Sequence, residues 1–282
     1  MTSSEFRAEA RRNLTGKWGK AALISLAYFF ITFILGFIQG LFKEGSFLNS
    51  LMTLVNFIIE VPLSLGLVIA FVKLYNNAEV KAFDFLTSGF SNFSKSWGIF
   101  FRTLLKVLIP IIIMIVSIII LSLGLALLST SSIITSVSEH ATAVSTSTTS
   151  TSVVATSGGS SASTFSYLLL AVGLIGLVLS TIWVATKSYY YQLTSIIVAE
   201  RPELSAKEAV EESEKQMAGN RAKLFWLQLS FIGWSILCAF TFGIGNLWLM
   251  PYIQFASIAF YKKLADDNQP IEVPTVDSPI KE

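Results

Sequence analysis

One carboxylate lies deep inside an apolar stretch of this chain, and it is the strongest candidate for chemistry. Glu60 lies near the middle of the apolar run 48–74, and the other long apolar runs contain no Asp or Glu. An acid at that depth in a bilayer is costly and usually faces a bundle interior or a water-filled cavity. Glu60 therefore indicates either a proton or cation relay, with Lys106 as its cationic partner, or a neutral side chain that hydrogen-bonds Asn56 or a neighbouring span. The lack of a second carboxylate favours the structural alternative, because relays usually hold chains of such groups.

Pro62 follows Glu60 closely and is expected to break the local helix. Proline has no backbone N–H and its ring clashes with the preceding turn. Carbonyl oxygens freed in this way inside a membrane need a protein or water partner. Glu60, Asn56, Pro62 and Lys106 together form the predicted intramembrane polar site.

The sequence contains none of the common catalytic motifs. A phosphate-binding glycine loop, a zinc-protease helix motif and a nucleophile elbow are all missing. His140 is the one histidine and Cys238 the one cysteine, so one chain cannot build a cysteine-based metal site or a disulfide framework. We therefore expect no enzyme activity, no metal and no cofactor.

The elements that must position these residues are membrane helices. The chain is 53% hydrophobic and 13% charged, whereas soluble domains are about 25% charged. A helix needs about 20 apolar residues to cross a hydrocarbon core of about 30 Å. The sequence therefore predicts an all-α polytopic membrane bundle with six transmembrane helices arranged as three hairpins. The six apolar stretches are 21–42, 48–74, 98–128, 166–194, 224–242 and 246–261.

The cations predict how these helices are oriented. If the N-terminus lies in the cytoplasm, every Lys and Arg except Lys43 falls on the cytoplasmic side. Short loops that are carried across a membrane are poor in Lys and Arg. We therefore expect both termini to lie inside, and nothing in the charge pattern indicates a nucleic-acid partner.

A Ser/Thr-rich tract at 129–165 separates the third and fourth apolar stretches. It contains no Lys or Arg and too few apolar residues to build a core, which predicts a disordered outer loop. The predicted order along the chain is a cytoplasmic amphipathic helix at 1–20, transmembrane helices 1–3 at 21–128, the loop at 129–165, transmembrane helices 4–6 with a cytoplasmic helix at 203–218 inside 166–262, and a cytoplasmic tail at 263–282.

The N-terminal helix is one candidate docking surface. Phe6, Ala10 and Leu14 recur at helical spacing and form an apolar stripe. A basic face beside such a stripe suits the anionic inner leaflet, although the same cations also simply enforce topology. The docking residues are Arg7, Arg11 and Arg12.

The helix at 203–218 is the other candidate docking surface. Ser205 and Glu208 fit a capping box, which marks the start of a helix. Glu208, Glu211 and Glu212 make its exposed face acidic. Anionic lipid repels such a face, so we expect this helix to dock on protein or to remain in water.

Two further patterns concern contacts between spans. Gly36 and Gly40 form a G-x-x-x-G pattern, which permits close helix approach. Polar side chains such as Gln39, Asn56 and Gln228 are expected to bridge neighbouring spans by hydrogen bonds.

Five segments at the two ends of the chain carry a family resemblance. They are RRNLTGKWGKAAL (11–23), LSAKEAVEES (204–213), MAGN (217–220), LFWLQLSFIGW (224–234) and GIGNLWLMPYIQFASIAFY (243–261). With these segments the chain resembles the bacterial integral membrane proteins known as domain of unknown function nine-seven-five. The resemblance implies a multi-pass protein of the bacterial cell membrane, and it brings no activity or catalytic residues. A weaker similarity links the chain to the membrane domain fused to some glycerophosphodiester phosphodiesterases.

Three functional hypotheses follow from these observations. The leading one is a non-catalytic membrane scaffold or accessory protein that acts through a membrane or cytoplasmic protein partner. The second is a small proton- or cation-coupled transporter or channel that uses Glu60. The third is a lipid-handling or lipid-sensing protein, indicated by the basic amphipathic ends of the chain and by the phosphodiesterase-linked similarity.

Overall fold

The computed structural model describes residues 2–145 and 159–267, without the side chains of residues 131–163. All regular secondary structure in these residues is helical, as the sequence predicts. The helices are α1 Ser3–Leu14, α2 Trp18–Gly40, α3 Phe47–Tyr75, α4 Asp84–Ser91, α5 Phe93–Ser145, α6 Gly159–Tyr191, α7 Thr194–Glu200, α8 Ala206–Met217, α9 Arg221–Leu229, α10 Ile232–Phe240 and α11 Asn246–Asp267.

Five helical segments among the described residues are long and apolar enough to cross a membrane. The sixth predicted span, 246–261, is helical within α11 but is not among these five. Asn246 and Gln254 lower its hydropathy, and much of the helix is buried by the rest of the chain. The protein is therefore an all-helical, membrane-embedded protein. The five segments are Trp18–Gly40, Phe47–Tyr75, Phe93–Thr130, Thr164–Glu200 and Arg221–Phe240.

The chain forms two compact units, Met1–Thr103 with Tyr189–Glu282 and Leu104–Ser188. In the first unit, α11 is the central element, with α1, α2, α3, α9 and α10 packed against it. Its buried side chains run from Leu249 to Leu264.

Helix α1 buries its apolar stripe on the chain itself. Phe6, Ala10 and Leu14 are each at most 4% exposed, and the ring of Phe6 lies 5.3 Å from that of Phe260 on α11. The predicted helix is confirmed. The stripe itself is covered by the chain, and the docking of the basic residues on the inner leaflet stays a prediction.

Helix α3 has two different halves. Its first half exposes apolar side chains such as Phe47 and Leu54, whereas its second half, from Leu63 to Tyr75, is largely buried. The helix continues through Pro62, so the predicted break is wrong. Contact with α4 supports this stretch, and the Ser64 hydroxyl donates a hydrogen bond of 2.8 Å to the Val61 carbonyl.

Helix α4 approaches α3 backbone to backbone. A Cβ atom at Gly66 would lie 2.0 Å from the Phe85 carbonyl oxygen, and one at Gly89 would lie 2.3 Å from the Pro62 carbonyl oxygen. Only glycine at both positions permits this separation.

The second unit is an antiparallel pair formed by α5 and α6. Positions 117, 121 and 124 on α5 face positions 176, 173 and 170 on α6, respectively, so the residue numbers run in opposite directions. Glycine again permits close approach, because a Cβ atom at Gly173 would lie 2.8 Å from the Leu121 amide nitrogen.

These two helices extend into the Ser/Thr-rich tract from both sides. Helix α5 continues past the predicted boundary at 128 to Ser145, and α6 begins at Gly159 rather than at 166. Ser and Thr reduce helix stability only slightly, and the hydroxyls of Ser129 and Thr130 both donate to the Ala126 carbonyl. Residues 146–158 of the predicted loop and residues 268–282 of the predicted tail lie outside the described residues.

The last two predicted spans also differ in detail. The run 224–242 is divided at Ser230 and Phe231 into α9 and α10. A turn at 241–245 then reverses the chain, with Phe242 and Gly243 both at positive φ. The ring of Tyr252 lies 4.9 Å from that of Phe231, so α11 runs back along α10 towards the end of α9.

Candidate functional site

Among the residues of the predicted intramembrane polar site, Asn56 makes hydrogen bonds to a neighbouring apolar helix. Asn56 Nδ2 donates to Gln39 Oε1 on α2 at 2.7 Å and to the Leu35 carbonyl at 3.4 Å. Gln39 Nε2 in turn donates to the Thr53 hydroxyl at 2.9 Å. Asn56 and Gln39 therefore bridge the first two apolar helices, which is the contact expected for such polar residues.

The other three members of that predicted site have separate environments. Glu60 is exposed on α3 and interacts electrostatically with Tyr28 of α2. Pro62 is buried in the α3–α4 contact, with its carbonyl oxygen directed at Gly89. Lys106 belongs to the second unit. The geometry thus gives Asn56 and Pro62 structural roles.

The basic residues of α1 have three different environments. Arg12 is exposed and pairs with Glu9 on the same helix, with 3.4 Å between Nη1 and Oε2. The Nε atom of Arg7 is buried and has no hydrogen-bond partner in the part of the chain that the structure describes. Arg11 Nη1 donates to the Tyr252 hydroxyl oxygen on α11 at 2.7 Å. Arg11 is therefore held at one position on the first unit.

Three acidic residues of α8 form hydrogen bonds or ion pairs with other residues of the chain. Ser205 N donates to Glu208 Oε2 at 2.8 Å, completing the predicted capping box. Glu212 Oε1 lies 3.4 Å from Arg201 Nη2, and Glu211 Oε1 lies 3.9 Å from Lys207 Nζ.

The capping box also affects the acidity of Glu208. The hydrogen bond from Ser205 N, followed by that of the Ser205 side chain, lowers the pKa of Glu208 below its usual value. The opposite face of α8, including Ala209, Val210 and Met217, is buried on the chain. This face of α8 therefore packs against the rest of the protein.

An apolar cavity in the first unit is the site that sequence reasoning missed. It has a volume of about 380 Å³ and lies mainly between α10 and α11, with contributions from α1 and α2. Three of the six tryptophans line it. Its lining residues are Arg11, Trp18, Trp234, Leu237, Cys238, Thr241, Gly245, Trp248, Leu249 and Tyr252.

The polar groups of this cavity lie at its two ends. At one end the Thr241 hydroxyl donates to the Cys238 carbonyl at 2.9 Å and accepts from Gly245 N at 3.1 Å, so it is satisfied by its own turn. At the other end Arg11 is joined to Tyr252. The lining contains one cation and no carboxylate.

A signal for this cavity exists in the sequence, although it was not used. Trp234 precedes the Gly-rich turn at 241–245 by seven residues, and Trp248 follows this turn by three residues. Two large flat side chains on either side of a short turn can meet across an antiparallel pair. The contribution of Arg11 has no local signal, because its partner Tyr252 is 241 residues away in sequence.

The described residues contain no group of three or more His, Cys, Asp or Glu side chains that could hold a metal ion. The comparisons with known proteins are equally sparse. Neither the curated proteins nor the solved structures include a match to this chain. A family model described as protein of unknown function (DUF975) matches residues 1–268. Since this match covers nearly the whole sequence and agrees with the resemblance of its two ends, the chain belongs to the DUF975 family.

Proposed function

We propose that this protein is a non-catalytic, multi-pass protein of the bacterial cell membrane that binds a lipid of the surrounding bilayer. The apolar cavity between α10 and α11 is the observation that carries this proposal. Its volume of about 380 Å³ lies in the range of about 300–1,000 Å³ that is typical of small-molecule sites. Its walls are almost entirely apolar or aromatic, as an acyl chain requires.

The position of the cavity supports entry from the membrane. Trp234, Leu237 and Trp248 line it and are 53%, 58% and 48% exposed, respectively. Trp234 and Leu237 lie on α10, which belongs to one of the five apolar segments that can cross a bilayer, so their exposed faces meet hydrocarbon. An acyl chain therefore reaches the cavity sideways without leaving an apolar medium.

The proposal includes six crossings with both termini inside. The distribution of Lys and Arg supports this orientation, and the turn at 241–245 supports a sixth crossing by α11. Polar residues in α11 are tolerable in a membrane where neighbouring helices cover them, and α1, α2, α3, α9 and α10 pack against this helix.

Single cysteines test this topology in a Cys238→Ser background. We expect Glu44→Cys to react with a membrane-impermeant maleimide on intact cells, and Ser4→Cys and Ala218→Cys to react only after permeabilisation. Asp267→Cys decides the number of crossings, because it lies inside with six spans and outside with five. Labelling of Ala218→Cys on intact cells would refute the orientation.

Photocrosslinking tests lipid binding. The full chain in detergent micelles, with no unlabelled phospholipid added, is titrated with phosphatidylcholine that carries a diazirine at the end of one acyl chain. We expect crosslinks to Trp234–Leu249 to saturate at a low probe fraction, because a cavity has a limited capacity. Crosslinks to the exposed apolar residues Phe33 and Phe37 should rise in proportion to the probe.

A matched pair of variants connects the saturating signal to the cavity. Leu237→Trp adds bulk to the cavity wall and should abolish saturation. Ile236→Trp is the control, because Ile236 is 55% exposed on the same helix and does not line the cavity. Equal behaviour of both variants, or labelling that is proportional everywhere in the wild type, would refute the proposal.

The other two hypotheses stay predictions and have less support from the geometry. Glu60 does not line the apolar cavity, Asn56 is hydrogen-bonded to Gln39 and Leu35, and the Pro62 carbonyl faces Gly89. Flux assays on Glu60→Gln in proteoliposomes test the transporter hypothesis. Glu208, Glu211 and Glu212 have partners within the chain, yet Glu208 and Glu211 are exposed on α8, so crosslinking on this helix tests the scaffold hypothesis.

A further inference from the structure

We infer that the cavity selects an anionic glycerophospholipid, with the head-group phosphate on Arg11 and one acyl chain directed towards the turn at 241–245. This inference rests on the proposed lipid-binding function and adds the chemical class of the ligand. It depends on the state of Arg11, on the acid-free lining of the cavity and on the order of the polar groups along it.

Arg11 is a fixed cation without an acidic partner among the described residues. Its Nη1 atom donates to the Tyr252 hydroxyl at 2.7 Å, and its guanidinium carbon lies 6.0 Å from the centre of the Tyr252 ring. The salt bridge of this helix is made by the neighbouring Arg12. A guanidinium group has several further N–H donors and binds phosphate oxygens in a bidentate manner.

Lys17, which follows Arg11 closely in sequence, already has hydrogen-bond partners within the chain. Lys17 Nζ donates to the carbonyl oxygens of Leu74 and Tyr75 at 2.9 and 3.3 Å, which satisfies the C-terminal end of α3. Among the described lining residues, Arg11 is therefore the cation that can bind a ligand at this end of the cavity.

The apolar part of the cavity extends away from Arg11 along the last hairpin. Tyr252 and Gly245 both line it and are separated by about two turns of helix, which correspond to about 10 Å. The satisfied Thr241 hydroxyl closes the far end. A molecule with an anionic head and an apolar chain matches this order of polar and apolar groups.

The lining also discriminates between head groups. A zwitterionic lipid would bring a second cation, its own ammonium group, next to Arg11, and the lining offers no carboxylate to receive it. Specificity can come from such an unfavourable pairing as much as from attraction. Trp18 and Tyr252 are aromatic groups that could instead receive a choline cation, so phosphatidylcholine is the informative competitor.

Competition in nanodiscs tests the inference on the full chain. Crosslinking of diazirine-labelled phosphatidylglycerol to Trp234–Leu249 is measured against unlabelled phosphatidylglycerol or phosphatidylcholine. We expect phosphatidylglycerol to displace the probe about tenfold better, the order expected for a charge-assisted hydrogen bond. Arg11→Gln should reduce the preference to within about twofold, whereas Arg11→Lys should retain part of it.

Arg12→Gln is the matched control, because Arg12 lies beside Arg11 and does not line the cavity; it should keep the wild-type preference. Equal displacement by the two lipids in the wild type, with saturable labelling intact, would overturn the anionic selection and leave lipid binding standing. A preference for phosphatidylcholine would overturn it in favour of choline binding. If labelling does not saturate for either lipid, the proposed function itself fails.

Discussion

Two pairs of neighbouring helices in this protein are held together by different means. Helices α2 and α3 are joined by side-chain amides, with Asn56 donating to Gln39 and Gln39 to Thr53. Helices α5 and α6 approach through glycine, most closely where Gly173 faces Leu121. In a membrane the hydrophobic effect does not drive helices together, so close packing and hydrogen bonds must do so. The comparison teaches that close contacts fix helix separation strictly, whereas amide bonds adapt to small shifts.

The contact between α3 and α4 is an extreme case of the close contact. A Cβ atom at Gly66 would lie 2.0 Å from a backbone carbonyl oxygen of α4, which no side-chain rotation can relieve. We expect Gly66→Ala to destabilise the protein by about 3 kcal/mol, the upper range for overpacking. Denaturant titration in detergent micelles, followed by far-UV circular dichroism, measures this change.

Gly36→Ala is the control for this prediction. An ideal Cβ atom at Gly36 has open space around it, and replacing glycine inside a helix by alanine gains up to about 1 kcal/mol. Equal effects of Gly66→Ala and Gly36→Ala would mean that α4 does not press on α3 as the structure shows.

Gly173 should give a smaller effect. A Cβ atom there would lie 2.8 Å from the Leu121 amide nitrogen, and a pair of long helices can separate slightly. We expect Gly173→Ala to cost about 1–2 kcal/mol in the same titration. Ala171→Val adds carbon atoms to an exposed position of the same helix and should be nearly neutral; a larger loss for Ala171→Val would contradict the packing of this pair.

These glycines show where sequence reasoning stops. The G-x-x-x-G pattern drew attention to Gly36 and Gly40, yet neither has a neighbour within 4 Å of an ideal Cβ atom. The two glycines that permit close helix approach are Gly66 and Gly89, which lie on different helices. Local spacing reports which residues share a helix face, but it cannot report which face another helix will cover.

The same distinction explains the outcome for the candidate sites. Hydropathy predicted the apolar helices, the helical spacing of apolar residues predicted α1, and the capping box predicted the start of α8, because those signals are local. The burial of Phe6 against Phe260 and the meeting of Arg11 with Tyr252 join the two ends of the chain. No periodicity encodes such contacts, so the contribution of Arg11 to the cavity is visible only in the folded structure.

Removal of the amide contact between α2 and α3 should lower the free energy of unfolding by less than a substitution at Gly66 or Gly173. Hydrogen bonds between membrane helices average about 0.6 kcal/mol and reach about 1.7 kcal/mol. Since Asn56 makes two such bonds, we expect Asn56→Leu to cost about 1 kcal/mol. A double-mutant cycle with Gln39→Met isolates the Asn56–Gln39 term. A coupling energy of zero would mean that the two amides do not meet in the membrane.

The capping box of α8 provides the smallest effect and extends the comparison to a hydrogen bond outside the apolar helices. The Ser205 hydrogen bonds lower the pKa of Glu208 in the folded protein, so its ionised form is preferentially stabilised there. That stabilisation is present above the pKa of Glu208 in the unfolded chain and is lost as the pH falls through the lower folded value. We expect amide-exchange protection in the first turn of α8, corrected for intrinsic exchange rates, to decrease over this acidic range in the wild type. Glu208→Gln should remove this pH dependence, and Glu211→Gln, whose side chain does not cap the helix, should preserve it. If Glu208→Gln followed the wild-type curve, the charge of Glu208 would have no part in holding this helix terminus.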